Sequence, residues 1–196
     1  MSQYFTNDEN LKSEYRNIVY KYNDFIFNFT SDLGVFSKDR VDFASKLLIE
    51  TYFERGKKNK NILDVGCGYG LIGITLSRIM NCNVDMIDVN KRAVHLSNLN
   101  IKSIGVTANA FISDIYENIN KKYDVIITNP PIRAGKVVYM NIIENAYKHL
   151  NDEGELWFVM NKDHGAKSTI EKIKDVYDVN VLNKSKGFFV ILCKKR

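Results

Sequence analysis

Apolar runs long enough to cross a membrane are missing from this sequence. The longest, Phe188 to Cys193, is strand-sized, against the roughly 18–20 residues that a span requires. The first ten residues lack the basic start and apolar stretch of a secretory signal. Cysteine is scarce: Cys67, Cys82 and Cys193 cannot all pair and stand at no metal-binding spacing, so neither a disulfide framework nor a metal site is expected. These absences predict a reduced, cytoplasmic protein without membrane contact. No repeat, low-complexity tract or Gly/Ser/Pro-rich linker divides the 196 residues, a length that suits one domain burying roughly 70% of its unfolded surface. Proline is nearly absent. The two that occur, Pro130 and Pro131, stand side by side.

The charge excess is modest, with 28 Lys+Arg against 23 Asp+Glu, and a hydrophobic fraction of 45% argues against disorder, collagen and coiled coil. Its placement is uneven. Arg55, Lys57, Lys58 and Lys60 are clustered, and the tail from Leu182 carries Lys184, Lys186, Lys194, Lys195 and Arg196 with no acid. Such clusters bind phosphates or are simply solvated, and charge alone leaves both readings open.

Ile18–Tyr22 and Phe25–Phe29, separated by Asn23-Asp24, predict a hairpin in a separate N-terminal extension (residues 1–35), there to recognise substrate or to cover a sheet edge. Residues 36–196 then read as one α/β domain. Val41, Ala44, Leu47, Leu48 and Thr51 recur at helical spacing over Asp39–Glu54, with Ser37 as N-cap and Gly56 as the stop. Strands are expected at Asn61–Val65, Val84–Asp88, Ala110–Ser113, Tyr123–Thr128, Glu155–Met160, Val179–Leu182 and Phe188–Cys193. Helices are expected at Leu71–Met80, Lys91–Ile101, Val137–Leu150 and His164–Val176. Ile/Val-rich strands alternating with helices predict a doubly wound, Rossmann-like, mostly parallel seven-stranded sheet, ending in an antiparallel hairpin. Ligands of such sheets bind beyond the strands' carboxyl ends.

Asp64-Val65-Gly66-Cys67-Gly68-Tyr69-Gly70 closes a buried strand and opens a helix, the setting of a nucleotide site. Gly68 to Gly73 also fits the dinucleotide pattern of NAD enzymes, but Asp64 at the mouth would repel a pyrophosphate while suiting a cationic ligand. Asp88, about twenty residues on, can accept both hydroxyls of a ribose or cap the helix starting near Asn90. The acid Asp114 follows the third strand. At the fourth, Asn129-Pro130-Pro131-Ile132-Arg133 makes a rigid, extended exit, where one proline would suffice to end a strand.

Asp64, Gly66, Gly68 and Gly70 resemble, position for position, the acidic-Gly-x-Gly-x-Gly motif of class I S-adenosylmethionine (SAM) methyltransferases. Asn129-Pro130-Pro131 resembles the motif of those that methylate amino groups of adenine, guanine or glutamine, although Ile132 stands where an aromatic is usual. The longer Asn-Pro-Pro-Ile-Arg-Ala-Gly-Lys run and the preceding Gly34-Val-Phe36-Ser37 segment are similar to the "methyltransferase small" group related to ribosomal small-subunit RNA guanine-N2 methyltransferases. The likeness spans Gly34 to about Leu150. It implies SAM as cofactor, held by Asp64, Gly66, Cys67, Gly68, Gly70, Asp88, Val89, Ser113, Asp114 and Asn129, and no metal. It implies catalysis at Asn129, Pro130, Pro131 and Ile132, with Asn129 and the Pro130 carbonyl gripping the amine. Phe36, Arg133 and Lys136 are the implied substrate contacts, and RNA, in a ribosomal subunit or free, the implied partner. Asp42 is either a carboxylate near the cofactor or a first-turn helix acid. DNA adenine, protein glutamine, an NAD-dependent oxidoreductase and a catalytically silent RNA-binding module are the alternatives. The oligomeric state is not legible.

Overall fold

A computed structural model of the chain describes residue 7 and residues 12–58 and 61–196. Lys60 and most of the first eleven residues lie outside the described residues, so the expectations placed on them are left there.

The hairpin forms as read. Strands β1 (Arg16–Tyr22) and β2 (Phe25–Ser31) pair antiparallel around Asn23, whose φ of 48° is the left-handed value a tight turn needs. Ile18, Tyr20, Phe27 and Phe29 alternate onto one buried face. That face packs on helices rather than along an edge strand: the Phe29 and Tyr69 rings meet edge-on at 5.6 Å. Asn100 ties the hairpin down, its side chain bonding both the N–H (2.7 Å) and the carbonyl (2.9 Å) of Thr30.

The body is α1 (Phe43–Arg55), β3 (Asn61–Val65), α2 (Leu71–Met80), β4 (Asn83–Asp88), α3 (Lys91–Ile104), β5 (Ala108–Ile112), β6 (Tyr123–Thr128), α4 (Lys136–His149), β7 (Leu150–Asn161), α5 (Ala166–Ile173), β8 (Tyr177–Ser185) and β9 (Phe188–Lys195). Its sheet runs β5-β4-β3-β6-β7-β9-β8, and β9 alone is reversed, inserted antiparallel between β7 and β8. Strand order turns round at β3 and β6, which pair in parallel through Ile62–Val125, Leu63–Ile126 and Asp64–Ile127. Successive residues feed opposite cores: Ile62, Val125, Ile127 and Trp157 face one cluster, Leu63, Ile126, Leu156 and Phe158 the other. A sheet buried on both sides therefore presents polar function only at its strand ends.

Several expected boundaries move. α1 starts at Phe43, capped by Asp42, whose carboxylate accepts the Ser45 N–H at 2.8 Å. Ser37 is not the cap: its φ is 54°, and its hydroxyl donates to the Arg40 carbonyl within a turn that precedes the helix. The helix expected from His164 shortens to α5, because Gly165 at φ 92° breaks it from the 3-10 turn Lys162–His164. β7, β8 and β9 extend beyond the expected ends, carried by mutual pairing that no local window records.

Candidate functional site

One cleft opens over the carboxyl ends of β3, β4, β5 and β6. Its wall includes Gly66–Gly68, Asp88, Val89, Ser113, Asp114, Asn129, Pro130 and Pro131, and the segment before α1 adds Phe36 and Asp42. Sequence elements up to 95 residues apart thus converge where the strand order reverses, as the topology demands.

The Asn129–Pro131 corner is built with little freedom. Pro131, at φ −75° and ψ 79°, is the centre of an inverse γ-turn in which the Ile132 N–H donates to the Pro130 carbonyl at 2.9 Å. The second proline therefore does more than end a strand: it aims the preceding carbonyl, leaving one lone pair for another donor. Asn129 is fixed from the other side. Its Nδ2 donates to Asp42 Oδ2 at 3.0 Å and to Ser45 Oγ at 2.9 Å. A carboxylate only accepts, so the amide nitrogen must face Asp42 and the amide oxygen must face away. Among the described residues that oxygen receives no hydrogen bond.

The glycine loop is not an anion nest. Gly66 and Cys67 donate their N–H groups to the Ile87 carbonyl (2.8 and 3.0 Å), Gly68 to Asp88 Oδ2 (3.0 Å), and Gly70 to the Cys67 carbonyl (2.9 Å). A pyrophosphate would find these donors occupied and a carboxylate beside them, so the dinucleotide reading of Gly68–Gly73 fails on chemistry. What the glycines leave is room. Gly66 and Gly68 hold φ of 74° and 58°, and a Cβ on either would meet no protein atom within 4 Å. Gly70 and Gly73 differ, being crowded by Ile74 Cδ1 and Met86 Cγ, each 2.6 Å from an ideal Cβ.

Asp88 sits half-buried in the cleft wall, its two oxygens accepting from Gly68 and Asn90 (3.0 and 2.9 Å). It is not the cap of α3, since Asn90 caps that helix by accepting from the Arg92 N–H. Burial pushes the Asp88 carboxyl upward, against the pull of its backbone donors. Asp64 is placed differently from its neighbours. It is fully buried under the loop rather than in the cleft wall, with Oδ2 accepting from the Gly73 N–H at 2.9 Å and Oδ1 without any partner. Burial raises its carboxyl to about 7, opposed by the Gly73 N–H and reinforced by the charge of Asp88.

Cys67 is buried in the wall, its thiol pushed well up by burial, and is no nucleophile. Ser113 is engaged within its own loop, donating to the Ile115 carbonyl and accepting from the Asn118 N–H. Asp114 and Val89 reach the wall with Ile115, a β-branched residue held at φ 50°. Ile132 does not line the cleft; it is half-buried and packed against the core cluster under α4. Arg133 and Lys136 stand exposed just past the corner. Phe36 lines the cleft with 39% of its surface exposed. Among the described residues no group of three or more His, Cys, Asp or Glu side chains is placed to hold a metal, and no helix is long and apolar enough to cross a membrane. Sequence reading missed Ser45, which belongs to the site only because the first turn of α1 meets Asn129 just past the end of β6.

Comparison with known proteins gives the same picture. The model of the methyltransferase small domain matches residues 26–192. The uncharacterized protein YbxB of Bacillus subtilis (strain 168) is 45% identical over 197 residues, covering 98% of each chain. Ribosomal RNA small subunit methyltransferase C of Klebsiella pneumoniae is 36% identical over 133 residues, 65% of this chain and 38% of that protein. Among solved structures, the T. thermophilus 16S rRNA guanine-N2 methyltransferase RsmC, in complex with AdoMet and guanosine, superposes with a TM-score of 0.85 at 26% identity, over 95% of this chain and 52% of that one. The chain thus spans about half or less of the two ribosomal RNA methyltransferases.

Proposed function

Because the chain belongs to the methyltransferase small domain family, with SAM as its cofactor, we propose that it methylates an exocyclic amino group of ribosomal RNA, guanine N2 in particular. The observation that carries this reading is the orientation of Asn129: with both amide hydrogens engaged by Asp42 and Ser45, its oxygen is left as an acceptor in the cleft wall that Asn129 shares with Pro130.

The residues suit SAM. Gly66 and Gly68 leave a cradle that any Cβ would fill, and the Asp88 carboxylate in the cleft wall favours a cationic ligand near the loop. Asp88 would hold the ribose, Asp114 and Val89 the base, and the Gly66–Gly70 loop the methionine portion. When bound, SAM supplies a methyl group activated by its sulfonium.

The chemistry left to the chain is positioning. An exocyclic amine is a poor nucleophile because its lone pair is delocalised into the ring. Asn129 Oδ1 and the Pro130 carbonyl, each accepting one N–H, favour the tetrahedral nitrogen and direct its lone pair out of the ring plane. Rate then comes from alignment and fixed dipoles, with no covalent enzyme intermediate. The nitrogen becomes acidic once alkylated, so its proton leaves without a strong base. Phe36 supplies the stacking face that Ile132 lacks, and Arg133 and Lys136 contact flanking phosphates. Such a substrate puts the protein in the cytoplasm with ribosomal subunits.

The test is transfer from tritiated SAM to undermethylated small subunits, free ribosomal RNA, DNA and release factor in parallel. Label in guanine N2 of the RNA supports the proposal. Label confined to DNA adenine or protein glutamine overturns it, as does tight SAM binding with no transfer to any substrate.

A further inference from the structure

The basic residues of the β8–β9 turn are separated in sequence from the active corner by some fifty residues, yet a chain of contacts joins them. β7 ends beside the start of β9, where Asn161 pairs with Phe188, and the Lys162 N–H donates to the Gly187 carbonyl at 2.8 Å. Phe188 meets the Phe43 ring at 5.8 Å, and the Lys186 ammonium lies over that same ring at 4.8 Å from its centre. Phe43 follows Asp42, the residue that holds Asn129. The turn therefore stands next to the start of α1, with Lys186 on the Phe43 face of the sheet and Lys184 on the face where Phe189 and Ile132 pack.

Charge is concentrated there. The segments framing the corner, residues 36–42, 132–136, 162–164 and 184–187, carry seven Lys or Arg and three Asp, leaving +4 of the chain's +5 net charge on these segments. Some lysines elsewhere are neutralised, Lys121 by Asp85 and Lys172 by Glu144, while others such as Lys102 and Lys122 stand alone, among the described residues, at the far end of the sheet. Among the described residues, Lys162, Lys184 and Lys186 have no carboxylate within 4.0 Å. Two of them are nevertheless held in place by aromatic faces, Lys186 over Phe43 and Lys184 over Phe189 at 5.1 Å. The turn also places Lys186 at φ 47°, next to Gly187 at φ 82°. Asn or Gly serves that left-handed position better, and a lysine there disfavours the fold. A local choice that opposes stability while holding a cation over Phe43, next to Asp42, points to a ligand.

We propose that Lys162, Lys184 and Lys186 form a phosphate-binding track that guides the RNA strand past the corner, adding to Arg133 and Lys136. This deepens the proposed RNA reading and rests on it. The partner is the sugar-phosphate backbone flanking the target nucleotide, bound without base selectivity.

The experiment measures the affinity of the full chain for a guanine-containing ribosomal RNA fragment as a function of salt, for wild type and the triple variant Lys162→Gln, Lys184→Gln, Lys186→Gln. Each lost phosphate contact lowers the slope of log K against log salt by about 0.7–0.9, so the triple variant should lose about 2. Its SAM affinity by calorimetry should equal wild type, which also certifies the fold. Lys102→Gln with Lys122→Gln, at the opposite end of the sheet, should leave the slope unchanged. A wild-type slope in the triple variant, while wild type binds and methylates RNA, overturns the track alone. Absence of RNA methylation by wild type overturns the underlying reading. An equal loss of affinity for polyglutamate and RNA, with polyglutamate bound as tightly by wild type, assigns these lysines to an acidic protein and also overturns the track.

Discussion

Asp42 and Asn129, 87 residues apart in sequence, share a hydrogen bond of 3.0 Å in which the amide nitrogen donates to the carboxylate. The same carboxylate oxygen caps α1 through the Ser45 N–H, and Ser45 Oγ takes the second amide hydrogen. One helix start thereby fixes which face of Asn129 is turned to the cleft.

Removing the amide altogether should separate binding from transfer. Asn129→Ala should leave SAM affinity near normal while lowering turnover by about 10²-fold, the loss expected when a reacting group is no longer aligned. Calorimetry with SAM and initial rates on RNA check both halves. Unchanged turnover would remove Asn129 from the mechanism.

Asp42 should behave as a positioning residue, and its two duties can be told apart. Asp42→Ala loses the cap and should destabilise the fold by about 1 kcal/mol as well as slow transfer. Asp42→Ser keeps a capping oxygen but is too short to hold the Asn129 amide. It should retain the wild-type Tm yet lose about tenfold or more in kcat, with little change in the KM for RNA. A Ser variant with wild-type kcat would reduce Asp42 to a helix cap.

Gly68 in the loop and Gly73 in the first turn of α2 should respond in opposite ways. Gly68→Ala meets no protein atom and carries only the left-handed φ penalty of about 1 kcal/mol, so it should fold while losing SAM affinity tenfold or more. Gly73→Ala drives a methyl into Met86 and Val84 inside the core and should lower stability by about 1–3 kcal/mol. Thermal unfolding and SAM titration of both variants decide the matter.

Much of this was legible in the sequence, and the reason is local chemistry. The β3 and β6 boundaries and the start of α3 followed from buried apolar runs flanked by Gly, Pro or Asn, signals that act over a few residues. The Gly66–Gly70 loop and Asn129–Pro131 announced themselves because their residue types are uncommon at strand ends. What stayed hidden depends on distant partners. Nothing local says that Asp42 rather than Ser37 caps α1, that Ser45 reaches Asn129, or that Asp64 points under the loop instead of into the cleft. The long β7–β9 pairing was likewise underestimated, because ladder partners lie some thirty residues away.

Phe36 and Ile132 offer a direct test of where base stacking resides. Phe36→Leu should raise the KM for RNA by about five-fold or more, since stacking contributes about 1–3 kcal/mol per base, while Phe36→Tyr should stay near wild type. Ile132→Phe restores the residue type usual at that position, but Ile132 packs on the core and is not part of the cleft wall. It should lower Tm through overpacking without improving KM. An improved KM in the Ile132 variant would move the stacking site to the corner itself.

The buried Asp64 carboxyl predicts an unusual pH dependence. Its folded value of about 7 lies above the ordinary carboxylate value of about 4, so between these the native protein holds a proton that the unfolded chain releases. Fewer protons bound in the unfolded state means that stability falls as pH rises through this window, by at most about 1.4 kcal/mol per pH unit, and levels off above about 7. Asp64→Asn keeps an oxygen for the Gly73 N–H and removes the titration, so its stability should be flatter from pH 4 to about 7 and exceed wild type at pH 8. Denaturant midpoints across that range measure the difference. Parallel pH profiles for the two proteins would mean that Asp64 is ionised in the folded state throughout, with its unpartnered oxygen compensated from elsewhere.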